Sequence, residues 1–157
     1  MGLNFLGQVG IVLGLGLAAF GSAVGIGKAG MAAAGAWAKQ AKAGKPLDFK
    51  YIILVGLPIS QTLYAMIVMR KMGELLRTAP ELAAASAGLL FGIGLAAGLG
   101  EMLSAWFQGL IGAAGCRALS EGEKGFPFIL IAMGIVETVG IFTFVFLNGQ
   151  VPALPGT

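Results

Sequence analysis

The sequence predicts an all-α membrane protein with four transmembrane helices, arranged as two duplicated hairpins of the same orientation. The prediction rests on an apolar composition, four long stretches almost free of charge, and an internal repeat. Of the 157 residues, 57% are hydrophobic and 11% are charged, and the mean hydropathy is +0.91. A typical soluble domain carries about 25% charged residues. Because the chain lacks a polar surface of that kind, we expect lipid to surround it.

The charge-poor stretches place the helices. A helix needs about 20 apolar residues to cross the hydrocarbon core. The predicted spans are 5–40, 51–74, 82–118 and 126–148, with the third turn around residues 120–123. At about 1.5 Å per residue, the first and third helices are long enough to extend beyond the bilayer.

An internal repeat divides the chain into halves. Residues 13–19 read Leu-Gly-Leu-Gly-Leu-Ala-Ala, and residues 91–97 read Phe-Gly-Ile-Gly-Leu-Ala-Ala. The sequence therefore predicts a first hairpin over 1–78 and a second over 79–157, within one integral membrane domain. Because each hairpin crosses the bilayer twice, both have the same orientation, unlike an inverted-repeat transporter.

The basic residues of the turns predict which side of the membrane each turn faces. More of them flank the first and third turns than the second, and cytoplasmic loops are enriched in Lys and Arg. We therefore expect the first and third loops in the cytoplasm and both termini outside the cell membrane. The residues concerned are Lys39, Lys42, Lys45, Lys50, Arg117 and Lys124, against Arg70, Lys71 and Arg77.

Several classes of function are disfavoured by the composition. The N-terminus has no basic n-region of a signal peptide, so the first helix is expected to remain in the protein. With Cys116 as the one cysteine and no histidine, neither an internal disulfide nor an imidazole site can form. Residues 25–30 fit G-x-G-x-x-G but follow no strand, so we expect no nucleotide site. The net charge of +3 is explained by the loops and requires no nucleic-acid partner.

Glu137 is the one charged residue in the apolar stretch 125–157. A carboxylate near the centre of a membrane span costs about 2.5–3.5 kcal/mol or more, so such a residue usually has a function. Counting outward from the turn of the second hairpin puts Gln108 at the depth of Glu137. The same counting in the first hairpin puts Lys28 level with Gln61, which predicts one polar layer across both hairpins.

The second helix adds a polar stripe to this layer. Leu57, Ser60, Gln61 and Tyr64 follow the i, i+3, i+4, i+7 spacing of one helix face. Pro58 interrupts the helix and frees a backbone carbonyl. These groups offer hard oxygen ligands, which suit a small hard cation. The residues alone leave two roles open, a cation site and a hydrogen-bonded contact between helices.

At this point the sequence resembles a known family. Two glycine-rich hairpins, Ser60-Gln61-Thr62-Leu63-Tyr64 beside a proline, Gln108-Gly109 and Val136-Glu137-Thr138 are similar to the proteolipid (c or K) of V-type ATPases. The set of Gln61, Tyr64, Gln108 and Glu137 resembles the sodium-translocating bacterial branch more narrowly. The resemblance implies a subunit that assembles into a homo-oligomeric rotor ring in the membrane and is not itself an enzyme.

The resemblance also assigns roles to residues. Glu137 would bind the transported cation, Na+ or H+, with Gln61, Gln108, Ser60 and the backbone carbonyl of Leu57 as further ligands. Simple helix counting frees the carbonyl of Leu54 instead of that of Leu57. Tyr64 would donate to Glu137 and close the site. No cofactor is implied apart from the transported ion.

Three further residues are assigned as modifiers of the site. Thr138 lies beside the acid, and Lys28 matches a lysine of the sodium-binding relatives, although snorkelling would also explain it. Glu101 departs from the family pattern and lies about 10 Å from Gln108 along one helix face. A protonated packing acid, a group facing the ring lumen and a modifier of ion affinity are open roles for Glu101.

The functional expectation is a rotor subunit of a V-type ATPase that carries Na+ across the membrane on Glu137. A proton-carrying ring, a stand-alone small cation transporter or channel, and a purely structural membrane protein are the alternatives. The expected partners are further copies of the chain, a stator subunit with an arginine, a central-stalk subunit at the cytoplasmic loops, and lipid.

Overall fold

The computed structural model describes residues 2–122 and 124–154, with side chains from Phe5 onward; Glu123, assigned to the third turn, lies outside the described residues. The described residues form helices and no strand. The helices are α1 (Gly2–Lys42), α2 (Lys50–Gly56), a 3-10 turn (Leu57–Ile59), α3 (Ser60–Thr78), α4 (Pro80–Ala85), α5 (Ala87–Ser120) and α6 (Phe126–Gln150).

Four helical segments of the described chain are long and apolar enough to cross a membrane. They cover Phe5–Lys42, Lys50–Thr78, Ala87–Ser120 and Phe126–Gln150. This confirms the predicted all-α fold with four spans. The 41 residues of α1 extend roughly 60 Å, so this helix projects well beyond the hydrocarbon core.

The turn between the second and third spans differs from the prediction. The second helix continues to Thr78, and the expected start of the third span at residue 82 falls inside the separate short helix α4. Pro80 occupies the first turn of α4, where a missing N–H costs no hydrogen bond. The backbone then bends at Ser86, with φ −101° and ψ 11°, before α5 begins.

Parallel packing of α1 against α5 joins the two hairpins. A Cβ on Gly10 would lie 2.6 Å from the carbonyl oxygen of Leu90, and one on Gly98 would lie 3.0 Å from the Cα of Gly14. Further along, a Cβ on Gly109 would overlap the backbone of Gly25. Helices approach this closely in lipid only where both carry small residues. The same-direction orientation of the hairpins is confirmed by this contact.

Two apolar clusters pack the ends of the bundle, and a polar layer lies between them. One cluster joins the C-terminal half of α3 with α4, the start of α5 and the end of α6; the other joins the opposite ends of the spans. The first contains Val68, Met72, Leu75, Ala83, Leu90, Ile93 and Val151, and the second contains Ala33, Ala36, Tyr51, Leu54, Cys116 and Met133.

The first loop is ordered by Asp48 just outside the membrane span. Its carboxylate accepts hydrogen bonds from the backbone N–H of Lys50 at 2.9 Å and from Lys50 Nζ at 3.2 Å. The backbone N–H of Lys50 holds the pKa of the Asp48 carboxyl below its usual value. This hydrogen-bonded turn is therefore present at neutral pH and is lost as the pH falls through that lowered pKa.

The contact between α1 and α5 predicts the effect of an added methyl group. In Gly94→Ala the new Cβ would overlap the backbone of Gly10. Overpacking of this kind costs about 1–3 kcal/mol, so we expect the purified protein to unfold at a lower detergent-denaturant midpoint. Gly92→Ala is the matched control, because a Cβ there meets no atom within 4 Å. Equal destabilisation of both variants would contradict the packing described for α1 and α5.

Candidate cation site

Glu137 lies on α6 in the polar layer, and donors from two other helices face its carboxylate. The hydroxyl of Tyr64 on α3 donates to Oε1 at 3.2 Å. Nε2 of Gln108 on α5 donates to Oε2 at 3.3 Å and to the carbonyl oxygen of Met133 at the same distance. The depth match expected between Gln108 and Glu137 is thus present. Two neutral donors, one from α3 and one from α5, therefore meet the carboxyl group of α6.

Gln61 extends the network from α3 and is fully buried. Its Nε2 donates to Ser104 Oγ at 3.1 Å and to Gln108 Oε1 at 3.4 Å. Its Oε1 accepts from Ser60 Oγ at 3.2 Å, and that hydroxyl is also 3.0 Å from the carbonyl oxygen of Leu57. An amide, a hydroxyl and a backbone carbonyl therefore hold three oxygen atoms close together beside the network of Glu137.

The proline break controls where the backbone carbonyls point. Pro58 forces a 3-10 turn over Leu57–Ile59, so the carbonyl of Leu57 accepts from the backbone N–H of Ser60. The carbonyl of Leu54 points instead at α5, where a Cβ on Gly112 would lie 2.7 Å from it. Of the two carbonyls considered from the sequence, that of Leu57 is the one beside Ser60 and Gln61.

Ser22 fixes the break to α1. Its hydroxyl donates to the carbonyl oxygen of Pro58 at 2.6 Å and accepts from Thr62 Oγ1 at 2.8 Å. The turn is thereby held by α1, and the polar stripe of α3 is oriented toward α5 and α6.

Ser104 is a member of the network that the sequence analysis did not identify. Its hydroxyl accepts from Gln61 Nε2 and donates to the carbonyl oxygen of Val136 at 3.0 Å. The available signal was spacing, since Glu101, Ser104 and Gln108 follow the i, i+3, i+7 positions of one face. In a helix rich in Gly and Ala, a serine is read more readily as a small packing residue.

Tyr64 is held in position by an aromatic contact. Its ring stacks on Phe144 of α6 with 5.4 Å between centroids and 20° between planes. Because χ1 and χ2 of Tyr64 are restrained by this stack, the hydroxyl reaches Glu137 at little further entropic cost.

Glu101 is completely buried on α5. A Cβ on Gly140 would lie 2.7 Å from Glu101 Oε2 and 3.2 Å from Ser104 Oγ. The carboxyl group therefore faces α6, one turn beyond Glu137. Among the described residues, neither carboxyl oxygen of Glu101 has a hydrogen-bond partner.

The other two assigned modifiers do not reach the carboxylate of Glu137. Thr138 is exposed, and its hydroxyl donates to the carbonyl oxygen of Ile135 in its own helix at 2.6 Å. Lys28 is exposed on α1 and takes part in neither ion pair of the described residues. The depth match of Lys28 with Gln61 does not place it in this network.

These features define a class of membrane protein, in which two helical hairpins hold a carboxyl group in a polar layer between apolar clusters. The sequence model of one family, the C subunit of ATP synthase, matches residues 9–70 and 91–147, which is one match in each predicted hairpin. The chain belongs to this family, the C subunit of ATP synthase. The proteolipid resemblance is confirmed at this level, whereas the sodium-binding branch stays a prediction.

A relative supports the same assignment. The K subunit of the A-type ATP synthase of Methanocaldococcus jannaschii is 33% identical to this chain over 138 residues. The alignment covers 87% of this chain and 57% of the relative. The chain thus spans little more than half the length of that protein.

Tyr64→Phe tests the contact with Glu137. The variant keeps the ring on Phe144 and removes one donor from the carboxylate, a change of about 1.5–3 kcal/mol for a hydrogen bond to a charged group. If that hydrogen bond must break before the carboxyl group can react, its removal should make modification of Glu137 by a hydrophobic carbodiimide about tenfold faster. The control is Tyr51→Phe, which lies in the second apolar cluster, at the start of the same membrane span. Identical rates in both variants would show that Tyr64 does not stabilise the carboxylate.

Proposed function

We propose that this chain is the ion-carrying subunit of a rotor ring, in which Glu137 binds a monovalent cation, with Na+ favoured over H+. The observation that carries the proposal is the carboxylate of Glu137 in the membrane layer, joined to oxygen-bearing side chains of α3 and α5. Glu137 is half-buried in the subunit, and a carboxylate within a membrane span is expensive and usually marks an ion pathway.

The proposed ligands are the oxygens gathered around the network. Three of these oxygens already lie together. The hydroxyl oxygen of Ser60 is 3.0 Å from the carbonyl oxygen of Leu57 and 3.2 Å from Oε1 of Gln61. Gln108 presents Nε2 to Glu137, so its amide would have to turn to bind a cation through Oε1. Carboxylate, amide, hydroxyl and carbonyl oxygens suit a hard cation and not a soft metal.

Tyr64 is proposed to close the loaded site. It reaches Glu137 from α3 while its ring rests on α6. A hydroxyl that donates to one carboxylate oxygen leaves the other oxygen for the ion. Opening of the site would then require the loss of one hydrogen bond, without a change of the helix backbone.

The charge of Glu137 determines how the ring can move. A carboxylate paired with one cation is nearly neutral and can face lipid, whereas the ionised group alone cannot do so at low cost. The unloaded site is therefore expected beside a polar stator subunit, opposite an arginine of that partner. Rotation carries loaded sites through the lipid and exchanges ions at the stator. Each charge moved is worth about 2.3 kcal/mol per 100 mV of membrane potential.

The exposed face of α6 supports assembly of several copies. Of the most apolar 18-residue stretch of this helix, only 11% is buried within the subunit. Lipid and neighbouring copies of the chain are the proposed occupants of its apolar surface. The proposal keeps the division into hairpins 1–78 and 79–157, which the two separate family matches support. The exposed residues include Phe128, Ile131, Ile135, Val139, Phe142, Val145 and Phe146.

The first and third loops lie side by side at one end of the bundle. Residues of both loops line a shallow cleft of about 250 Å³, which Lys39, Lys45, Ser120 and Glu121 border. Their basic character supports a cytoplasmic position, with the termini outside the cell membrane. We place the central-stalk subunit at this end.

The cargo can be tested by chemical modification of the purified ring. A hydrophobic carbodiimide reacts with the protonated form of Glu137, and a bound Na+ excludes that proton. Added Na+ should therefore slow the modification of Glu137, and the protection should weaken as the pH is lowered and protons compete. Mass spectrometry of the labelled peptide measures the rate, and K+ at equal ionic strength is the control.

A rate that does not respond to Na+ at neutral and alkaline pH would remove the sodium assignment and leave a proton-carrying ring. Modification of other residues with Glu137 unreactive under all conditions would contradict the carrier role itself. The two results separate the identity of the ion from the function of the residue.

A further inference from the structure

A second carboxyl group lies in the same layer of the subunit. Glu101 is 0% exposed, and its carboxyl group is directed at α6 beside Gly140. Gly140 follows Glu137 by about one helical turn and shares its face of α6. The carboxyl group of Glu101 on α5 therefore meets this face at a depth close to that of Glu137. Gly140 has no side chain, and this is what allows the carboxyl group to reach the helix backbone.

The two acids differ in the hydrogen bonds that their carboxyl groups accept. Glu137 accepts hydrogen bonds from Tyr64 and Gln108, whereas neither oxygen of Glu101 accepts one within the part of the chain that the structure describes. The two ion pairs of the described residues do not include Glu101. An isolated buried carboxylate without donors or a counter-ion costs far more than its neutral form.

The titratable groups nearest to Glu101 offer it no positive charge. From the elements packed against it, these groups are Glu137 on α6 and Tyr64 on α3. Both are acids, and an ionised Glu137 repels a second negative charge at short range. The neighbourhood therefore favours a neutral Glu101 at the stage when Glu137 is charged.

Charge balance in the lipid phase leads to the same result. One cargo cation neutralises one carboxylate, so a subunit with two ionised acids would keep a net negative charge while it faced lipid. A second cation is required, and the site of Glu101 restricts what that cation can be. Hard metal ions take several oxygen ligands, whereas a proton needs only the carboxyl oxygen that holds it.

We propose that Glu101 is a second cation-binding group of the subunit, and that it retains a proton while Glu137 exchanges the transported ion. This inference rests on the proposed carrier role of Glu137. Ser104 lies one turn from Glu101 on the same face of α5 and, as a hydroxyl, has a lone pair to offer to an acid proton. The retained proton leaves Glu137 as the single exchangeable charge of the subunit.

Infrared spectroscopy of the assembled, purified ring tests the proposal, because a protonated carboxylic acid has its own carbonyl band. Glu137→Gln removes the carrier acid, so any remaining band at mildly alkaline pH must come from another buried acid. We expect Glu137→Gln to keep one such band and the double variant Glu101→Gln/Glu137→Gln to lose it. Glu81→Gln, which removes an exposed acid of α4, should leave the band unchanged.

Gly140→Ala gives a second measurement that does not remove either acid. The new Cβ would lie 2.7 Å from Glu101 Oε2, so the carboxyl group must shift. The band should persist at a different frequency. If Glu137→Gln does not assemble, the same test uses rings that keep Glu137, in saturating Na+. The acid band should then be present in the wild-type ring and absent from Glu101→Gln.

The proposal is overturned if an intact ring shows no acid band beyond that of Glu137, or if the band survives in the double variant. An unchanged frequency in Gly140→Ala would assign the band to a different residue and also overturn it. Failure of the carrier role is distinguishable, because it would appear as ion transport by the complete rotary complex with Glu137→Gln, whatever the infrared result.

Discussion

An ionised carboxylate cannot be left without partners in the hydrocarbon core, and the arrangement of this subunit depends on that constraint. Glu137 obtains donors from Tyr64 on α3 and Gln108 on α5, so three helices take part in its hydrogen bonds. The proline break, the serine at position 60 and the buried Gln61 then supply oxygens at the same depth. Without α3 or α5 the carboxyl group would lose one of its donors.

Close packing of glycines makes the polar layer possible. α1 and α5 approach so closely that a methyl group at Gly94 or Gly109 would overlap the facing backbone. The pair formed by α1 and α5 is therefore narrow. As a result, α3 and α6 can meet over α5 with their polar side chains in contact. Gly140 acts similarly on α6, where it admits the carboxyl group of Glu101. Small residues thus determine how near the two acids and their partners can lie.

Much of this arrangement could be predicted from the sequence, because hydropathy and helical spacing are local properties. Counting from the turn placed Gln108 at the depth of Glu137, and Pro58 marked the break in the second span. The helix α4 was missed because its alanines continue the apolar pattern of the next span. The surroundings of Glu101 and Ser104 could not be predicted, since they depend on the rotation of α5 against α6, which long-range packing sets.

The account is tested most directly by driven cation flux in vesicles that contain the complete rotary complex, with Glu137→Gln in every copy of this chain. The amide keeps the size of the side chain but cannot alternate between a charged and a cation-neutralised state. We predict that the complex assembles and that cation flux is abolished, while Glu81→Gln transports at the wild-type rate. Sustained flux through an assembled Glu137→Gln complex would contradict the central claim that this carboxyl group carries the ion.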